Sequence, residues 1–341
     1  ASGGASWDTE TVTSQATYSA GNDKTLSNVV NVANIPVGAL VEGAGVGREI
    51  YVKERNIGAG ELTLSAPLYG AAGTQTYTFR DFKYMLDFSG FSKLSKFELN
   101  EVELQCNGLC SGIRMAPSGV AFALHKSLIT KPKDRGLTSI GSGCQGLLVD
   151  ECQFLSDESQ KLGQDRVSIG FNANANDLKI RDNRAMHMRH FGVVAGTGSM
   201  FAGNHFFQGD SSSNAVRTAG LILTSTSCRT TITGNYIDNC HIEWANEHDQ
   251  APEFASELSF SALNISDNIF LASHVAPWFT FFTVRPHGAG HFINGLSLTG
   301  NTFRIIAGAI DRVETIDTSF ADMDYSRMKN ITFSDNSFNQ V

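Results

Sequence analysis

The chain has 341 residues, 41% of them hydrophobic, and a formal charge of −8 from 34 acidic and 26 basic residues. That apolar content is enough for a large core, while the acidic balance and the lack of any Lys/Arg cluster interleaved with aromatics argue against nucleic acid as a partner. No run of about 18 apolar residues occurs, so membrane insertion is not expected.

The first residues, Ala1-Ser2-Gly3-Gly4, have no initiator Met, basic start or apolar stretch, and read as a processed end or an artificial edge at which any export signal would not be visible. Up to about residue 80, short β signals such as Glu49-Ile-Tyr-Val-Lys53 and Glu61-Leu-Thr-Leu-Ser65 are separated by Gly-rich turns, among them Val41-Glu-Gly-Ala-Gly-Val-Gly47. No Gly-Lys-Ser/Thr follows that glycine run, so it is not a phosphate loop. Residues 1–80 are expected to form a small N-terminal β-rich cap or subdomain, covering the strand edges of the next region. Residues 81–341 are assigned to that second region.

The second region repeats one phrase: two apolar residues one apart, two polar residues, a key residue, then another apolar residue. It begins as Phe97-x-Leu99-x-x-Val102-x-Leu104, Phe122-x-Leu124-x-x-Ser127-x-Ile129 and Leu147-x-Val149-x-x-Cys152-x-Phe154. Asn then takes the key position at 183, 204, 235, 268, 301 and 336, as in Leu263-x-Ile265-x-x-Asn268-x-Phe270. The steps between key positions run from 21 to 35 residues, the mark of a repeat architecture. Alternating apolar residues turn one face of a short strand into a core, and the polar pair ends the strand. Asn tolerates left-handed backbone, so it is expected to turn the chain at each corner, and stacked coils would align the amides in a ladder about 4.8 Å per step. The fold class is therefore all-β, a right-handed parallel β-helix with an Asn ladder. A β-sandwich also has alternating strands, but its turns come every 8–12 residues or so without one phrase returning in phase. The phrase around Asn336 ends the chain without a cap, so the coil is expected to continue past residue 341 or to meet another chain.

Six Cys are present. Cys106-x-x-x-Cys110 allows a disulfide or part of a metal site, yet no second pair with zinc spacing accompanies it; small buried apolar side chains are the simpler reading.

The repeated phrase, with its placement ahead of a Gly-containing strand such as Ala219-Gly-Leu-Ile-Leu-Thr224, resembles the pectate-lyase-like superfamily of right-handed parallel β-helices. That group includes polysaccharide lyases, glycoside hydrolase family 28 and phage tailspikes. The resemblance covers about residues 90–341 and implies a polysaccharide ligand and an extracellular or virion-surface location. It transfers no catalytic residue, because Asn-Thr-Asp, Asp-Asp, Gly-His-Gly and Arg-Ile-Lys, the marks of family 28, are missing, as is an early Gly-Asp-Gly.

A site is therefore sought in geometry, on the sheet that comes after the Asn corner and its loop. Aligned repeats give candidate strands 167–171, 192–195, 220–223, 240–244 and 278–281. If Ile242 and Trp244 point inward, period two turns His241 and Glu243 outward, beside Gly220 and Ile222 on one side and Trp278 or Thr280 on the other. Hydrolysis of a glycosidic bond needs two carboxyl groups. Glu243, desolvated by apolar neighbours, is the expected acid; Asp210 or Asp249 is the expected partner, with His241 orienting one of them or passing a proton. Glu247 and Asp238 add acids nearby, and Trp278 offers a stacking surface. The plain alternative is that loop acids in a chain with 34 Asp and Glu are simply solvated. In Met186-His-Met-Arg-His190, His187 would be a lyase-like base and Arg189 a cation for a sugar carboxylate; alternatively the stretch is a half-exposed loop or strand with Met in the core. No third ligand accompanies His187 and His190, so no metal site is assigned; calcium bridging an acidic sugar to Asp or Glu is the one ion considered.

Two functions of different class emerge. One is an enzyme that hydrolyses a bacterial or other cell-surface polysaccharide, with lyase action as a variant that needs uronic acids. The other is a non-catalytic, homotrimeric phage-type spike that binds such a polymer. The charge of −8 leans toward a neutral or weakly acidic glycan.

Overall fold

The computed structural model describes residues 9–19, 24–47, 50–139, 143–156, 169–173, 175–207, 219–246, 259–273, 279–286, 288–306 and 314–340. Among these there is no α-helix, and no helix is long and apolar enough to cross a membrane. From Tyr84 onward the chain winds as a right-handed parallel β-helix, the hand that right-twisted strands impose on parallel crossovers. Three parallel sheets of nine strands each run its length. Sheet 1 carries the strand before each ladder corner, sheet 2 the strand after it, and sheet 3 closes the coil.

Equivalent residues of each phrase stand in vertical register. In sheet 1 the inward column includes Val149, Ile180, Phe201, Ile232, Ile265 and Leu298. In sheet 2 it includes Phe154, Ala185, Phe206, Ile237, Phe270 and Phe303. These columns belong to one continuous apolar core. Like rings fall on like rings: Phe270, Phe303 and Phe338 stack at centroid distances of 4.9 and 5.2 Å. Offset stacking of this kind adds about 0.5–1.5 kcal/mol per pair to the burial of the rings. Space is tight in sheet 3 at Gly192, where a Cβ would lie 2.4 Å from the Phe171 ring.

The ladder forms as expected, with a longer reach. The side-chain Oδ1 of Asn204 accepts from the backbone N–H of Asn183 and from its Nδ2, both at 3.0 Å. The same pair of bonds repeats from Asn204 to Asn235, Asn235 to Asn268, Asn268 to Asn301 and Asn301 to Asn336. Toward the N-terminus Cys152 donates its N–H to Asn183 Oδ1 at 2.9 Å, Ser127 donates to Cys152 Sγ at 3.5 Å, and Val102 donates to Ser127 Oγ at 3.1 Å. Sulfur and hydroxyl replace the amide because each rung needs only an acceptor aimed at the N–H below.

The expected left-handed turn sits one residue earlier than the Asn. Glu101, Lys126, Glu151, Asp182, Gly203, Gly234, Asp267, Gly300 and Asp335 have φ between +45° and +68°, and the ladder residues do not. The bend is made first, by Glu or Lys in the first three coils and by Asp or Gly in the later ones, and the ladder residue after it turns its side chain into the stack.

All six cysteines are free and buried, including Cys106 and Cys110. Burial pushes the Cys144 and Cys152 thiols up to about 11, and raises those of Cys106 and Cys240 further. Thiolate, the reactive form, is therefore scarce at neutral pH. Titration of the native protein with a chromogenic disulfide at pH 8 is expected to consume under about one equivalent, and the unfolded chain all six. Fast reaction of several thiols in the native protein would contradict the closed core.

Ahead of the helix, Glu10–Tyr18 pairs antiparallel with Gly73–Asp81 along nine residues, inside a six-stranded sheet with its own apolar core. This unit is docked to the first turns by Arg114, whose Nη2 lies 3.2 Å from Asp81 Oδ1 and 3.0 Å from the Phe82 carbonyl, and whose guanidinium covers the Tyr84 ring at 4.6 Å. Phe97 and Leu99 of the first coil are half-buried and packed against the core, and Phe91 is 55% exposed. The Tyr69 hydroxyl reaches the carbonyl of Asn246, 3.5 Å away at the end of the seventh strand of sheet 3.

Candidate functional site

Period two does place the side chains of the strand His241–Ala245 as expected. Ile242 and Trp244 enter the core, and the Trp244 indole donates to the Ser225 carbonyl at 2.7 Å. His241 and Glu243 share the other face, with Nε2 and Oε2 3.6 Å apart. Arg285, one coil on, brings Nη1 to 3.7 Å from Glu243 Oε1. The His241 ring meets Phe279 edge-on at 6.4 Å. An acid, an imidazole, a guanidinium and an aromatic ring thus form one cluster.

Two expectations about this face need correction. The first is exposure: Glu243 is 0% exposed and His241 2%, so the cluster is covered rather than solvent-facing. The second is register. Ile222 does flank Glu243 on one side, but the residue on the other is Thr283, not Trp278 or Thr280. The strand there is Thr280–Arg285, and its inward residue opposite Ile242 is Phe282. Thr280 pairs instead with Glu314.

Following the outward row one step beyond Thr283 reaches Asp317, on the strand Glu314–Asp317. The ladder steps put the Glu243 and Asp317 backbones roughly 9–10 Å apart, with Thr283 between them. Asp317 Oδ1 accepts from Ser319 N at 3.0 Å and Ser319 Oγ at 2.6 Å. A cavity of about 740 Å³ touches Asp317, but its lining includes Ile316 and Phe333, inward residues of the last described coil, so it lies at the end of the described stack and not on the outer face of sheet 3. Asp317 was not among the expected partners of Glu243, although the sequence carries a signal for it. Glu314-Thr-Ile-Asp317 comes after Asn301 at the stage of the coil where His241–Ala245 comes after Asn235, with Ile316 as its inward residue.

The remaining candidates separate. Asp210, Asp249, Glu247 and Trp278 lie outside the described residues. Asp238 ends a sheet 2 strand, Tyr236–Asp238, and faces away from the Glu243 cluster. His187 and Arg189 sit at the corner between sheets 2 and 3, just ahead of the strand His190–Val194, with Met188 in the core between them. His187 has φ +56° and packs its ring on Phe207 at 5.3 Å, so the corner reading of this stretch describes it better than a base on the sheet 3 face. Among the described residues no group of three His, Cys, Asp or Glu is placed to hold a metal ion.

No family model and no curated protein matches the sequence. Among solved structures, the chain is similar to catalytic domains of GH87 alpha-1,3-glucanase variants. Two are in complex with tetrasaccharides, at TM-scores of 0.36 and 0.30 and identities of 9% and 10%, covering 96% and 97% of this chain and 63% and 89% of theirs. A third, in complex with nigerose, has a TM-score of 0.28 and 9% identity, covering 97% of this chain and 86% of its own. This chain spans 63% of the length of the first.

Proposed function

We propose that this chain acts on a polysaccharide, hydrolysing glycosidic bonds on the outer side of sheet 3, with Glu243 as the proton donor and Asp317 as the base that activates water. The observation that carries the reading is that the two acidic residues stand in one row of sheet 3, two ladder steps apart along the backbone with Thr283 between them. A gap of roughly 6.5–9.5 Å leaves room for water on the far side of the sugar and gives inversion at the anomeric carbon. His241 and Arg285 flank Glu243, at 3.6 and 3.7 Å from its carboxyl oxygens, and hold it in place. Because Glu243 has no exposed surface, catalysis requires the side chains over it to part when the polymer binds. The net charge of −8 favours a neutral or weakly acidic polymer, which would be met outside a cell or at a virion surface.

The burial of Glu243 also favours a second reading, a spike-like protein that binds such a polymer without cutting it. Incubation with capsular polysaccharides, exopolysaccharides and neutral glucans separates the two. New reducing ends without ultraviolet absorbance support hydrolysis. Absorbance from unsaturated products would replace it by lyase chemistry, and retention on a polymer with neither signal would favour the spike.

A further inference from the structure

The outer side of sheet 2 holds a second cleft, on a different face from Glu243 and Asp317. Three successive strands contribute two residues each: Arg184 and Met186, His205 and Phe207, Tyr236 and Asp238. Their register is direct, Arg184 beside His205 beside Tyr236 in one row and Met186 beside Phe207 beside Asp238 in the other. The cleft has a volume of about 480 Å³, within the range of about 300–1,000 Å³ common to small-molecule sites. Nothing in the repeat requires these residues. Equivalent outward positions elsewhere in the sheet hold Leu128 and Thr130, or Gln153 and Leu155.

The chemistry of the six is that of a sugar site. The His205 ring stands edge-on to Tyr236 at 4.8 Å and to Phe207 at 6.4 Å, so two aromatic walls and a thioether surround polar groups. Burial, and then the Arg184 charge, hold His205 below the ordinary imidazole range, which leaves one ring nitrogen as donor and the other as acceptor at neutral pH. Burial, and then Asp238, push the Tyr236 phenol up, so it keeps its proton. Arg184 donates only and Asp238 accepts only. A pyranose presents the complement: hydroxyls that both donate and accept around its rim, and a C–H face that packs on aromatic carbon. One cation and one anion cancel, which suits an uncharged ring better than a uronate.

We propose that this cleft is a binding subsite for a neutral pyranose unit, holding a polysaccharide on sheet 2 independently of any chemistry on sheet 3. Met186 provides a local reporter. Protein labelled at its methionine methyl groups is titrated with glucose, galactose, mannose and N-acetylglucosamine, with glycerol and glucuronate as comparisons. The Met186 methyl signal, identified by its loss in Met186→Leu, is expected to shift and saturate with at least one of the neutral sugars. The signal of Met115, which lies in the core, should not move. Phe207→Ala, on the outer face, should weaken that binding roughly tenfold, whereas Glu243→Gln should leave it unchanged. The proposal fails if no neutral sugar gives a saturable shift, if glycerol or glucuronate gives the same shift, or if the signal instead follows protein concentration, which would mean a second copy of the chain occupies the face. Because this readout needs no turnover, the absence of hydrolytic activity would count against Glu243 and Asp317 and leave the subsite standing.

Discussion

Replacing Asn235 by alanine is expected to lower the free energy of unfolding by about 3–5 kcal/mol, a large fraction of what holds a domain together. The side-chain oxygen of Asn235 is the acceptor for both the N–H and the Nδ2 of Asn204, each at 2.9 Å. Its own Nδ2 donates to the Phe201 carbonyl at 3.0 Å. Alanine removes these three bonds together with those from Nδ2 to the Thr233 carbonyl and to Asn268 Oδ1, and it leaves the buried Asn204 N–H without its acceptor, at a cost of about 1–3 kcal/mol, while Asn204 Nδ2 keeps its bond to the Ile180 carbonyl. The backbone N–H of residue 235 would still reach Asn268 Oδ1, so the next rung keeps one of its two bonds. Asn336→Ala is the internal comparison: its rung is only partly buried, water can replace the lost acceptor, and the effect should be well under half as large. Urea unfolding of the three proteins measures the difference. Equal effects at 235 and 336 would mean that burial of the amide column contributes little and that apolar stacking alone holds the coils in phase.

The second large effect concerns catalysis. Glu243→Gln is expected to reduce kcat on a polysaccharide substrate by about 10²–10⁴-fold, the usual contribution of a positioned proton donor, with little change in KM. Asp317→Asn should be comparably impaired, but the two variants should differ toward an aryl glycoside whose leaving group needs no protonation. Activity returns to Glu243→Gln on that substrate and not to Asp317→Asn. Proton NMR of the first product formed should show an inverted anomeric configuration. Arg285 has a side chain 35% exposed, so loss of the Glu243 charge leaves a cation that water can solvate, and the variant should remain folded. Full activity in both variants, or retention at the anomeric carbon, would remove these residues from the mechanism.

The architecture was legible because each coil repeats the same local instruction. Every key position from Val102 to Asn336 occupies its expected corner, and even Cys152 and Ser127 serve the ladder, since an acceptor is all the rung demands. The turn sits one residue earlier than the Asn: in the later coils Asp and Gly, which share its left-handed tolerance, precede it, as at Asp182, Gly203 and Asp267, while Glu101, Lys126 and Glu151 take the bend in the first coils without that local preference. Periodicity likewise set the direction of His241 and Glu243. It did not set their vertical neighbours, because coils differ in length between sheets 2 and 3 and counting from the Asn cannot fix where the next strand starts. The inward pair Phe282 and Val284 does fix it, and with it Thr283 and Asp317 fall into line. Burial of Glu243 could not be read, since period two fixes which way a side chain points and not what lies over it. The outer grid on sheet 2 went unnoticed because His205, Phe207 and Tyr236 belong to different repeats and meet only through the pitch of the coil.

A stack of rungs that touch only their neighbours would fray like a zipper, one coil at a time from either end. The hydrogen bond from Tyr69 to Asn246 alters that behaviour, because the antiparallel unit joined to the first strand of sheet 3 also grips the seventh, roughly 29 Å farther along. The coils between those two points are bracketed by a single folded body, so separating them also breaks that contact. Those beyond Asn246, which carry Asp317 and Tyr325, are outside the bracket and keep the freedom to loosen on their own.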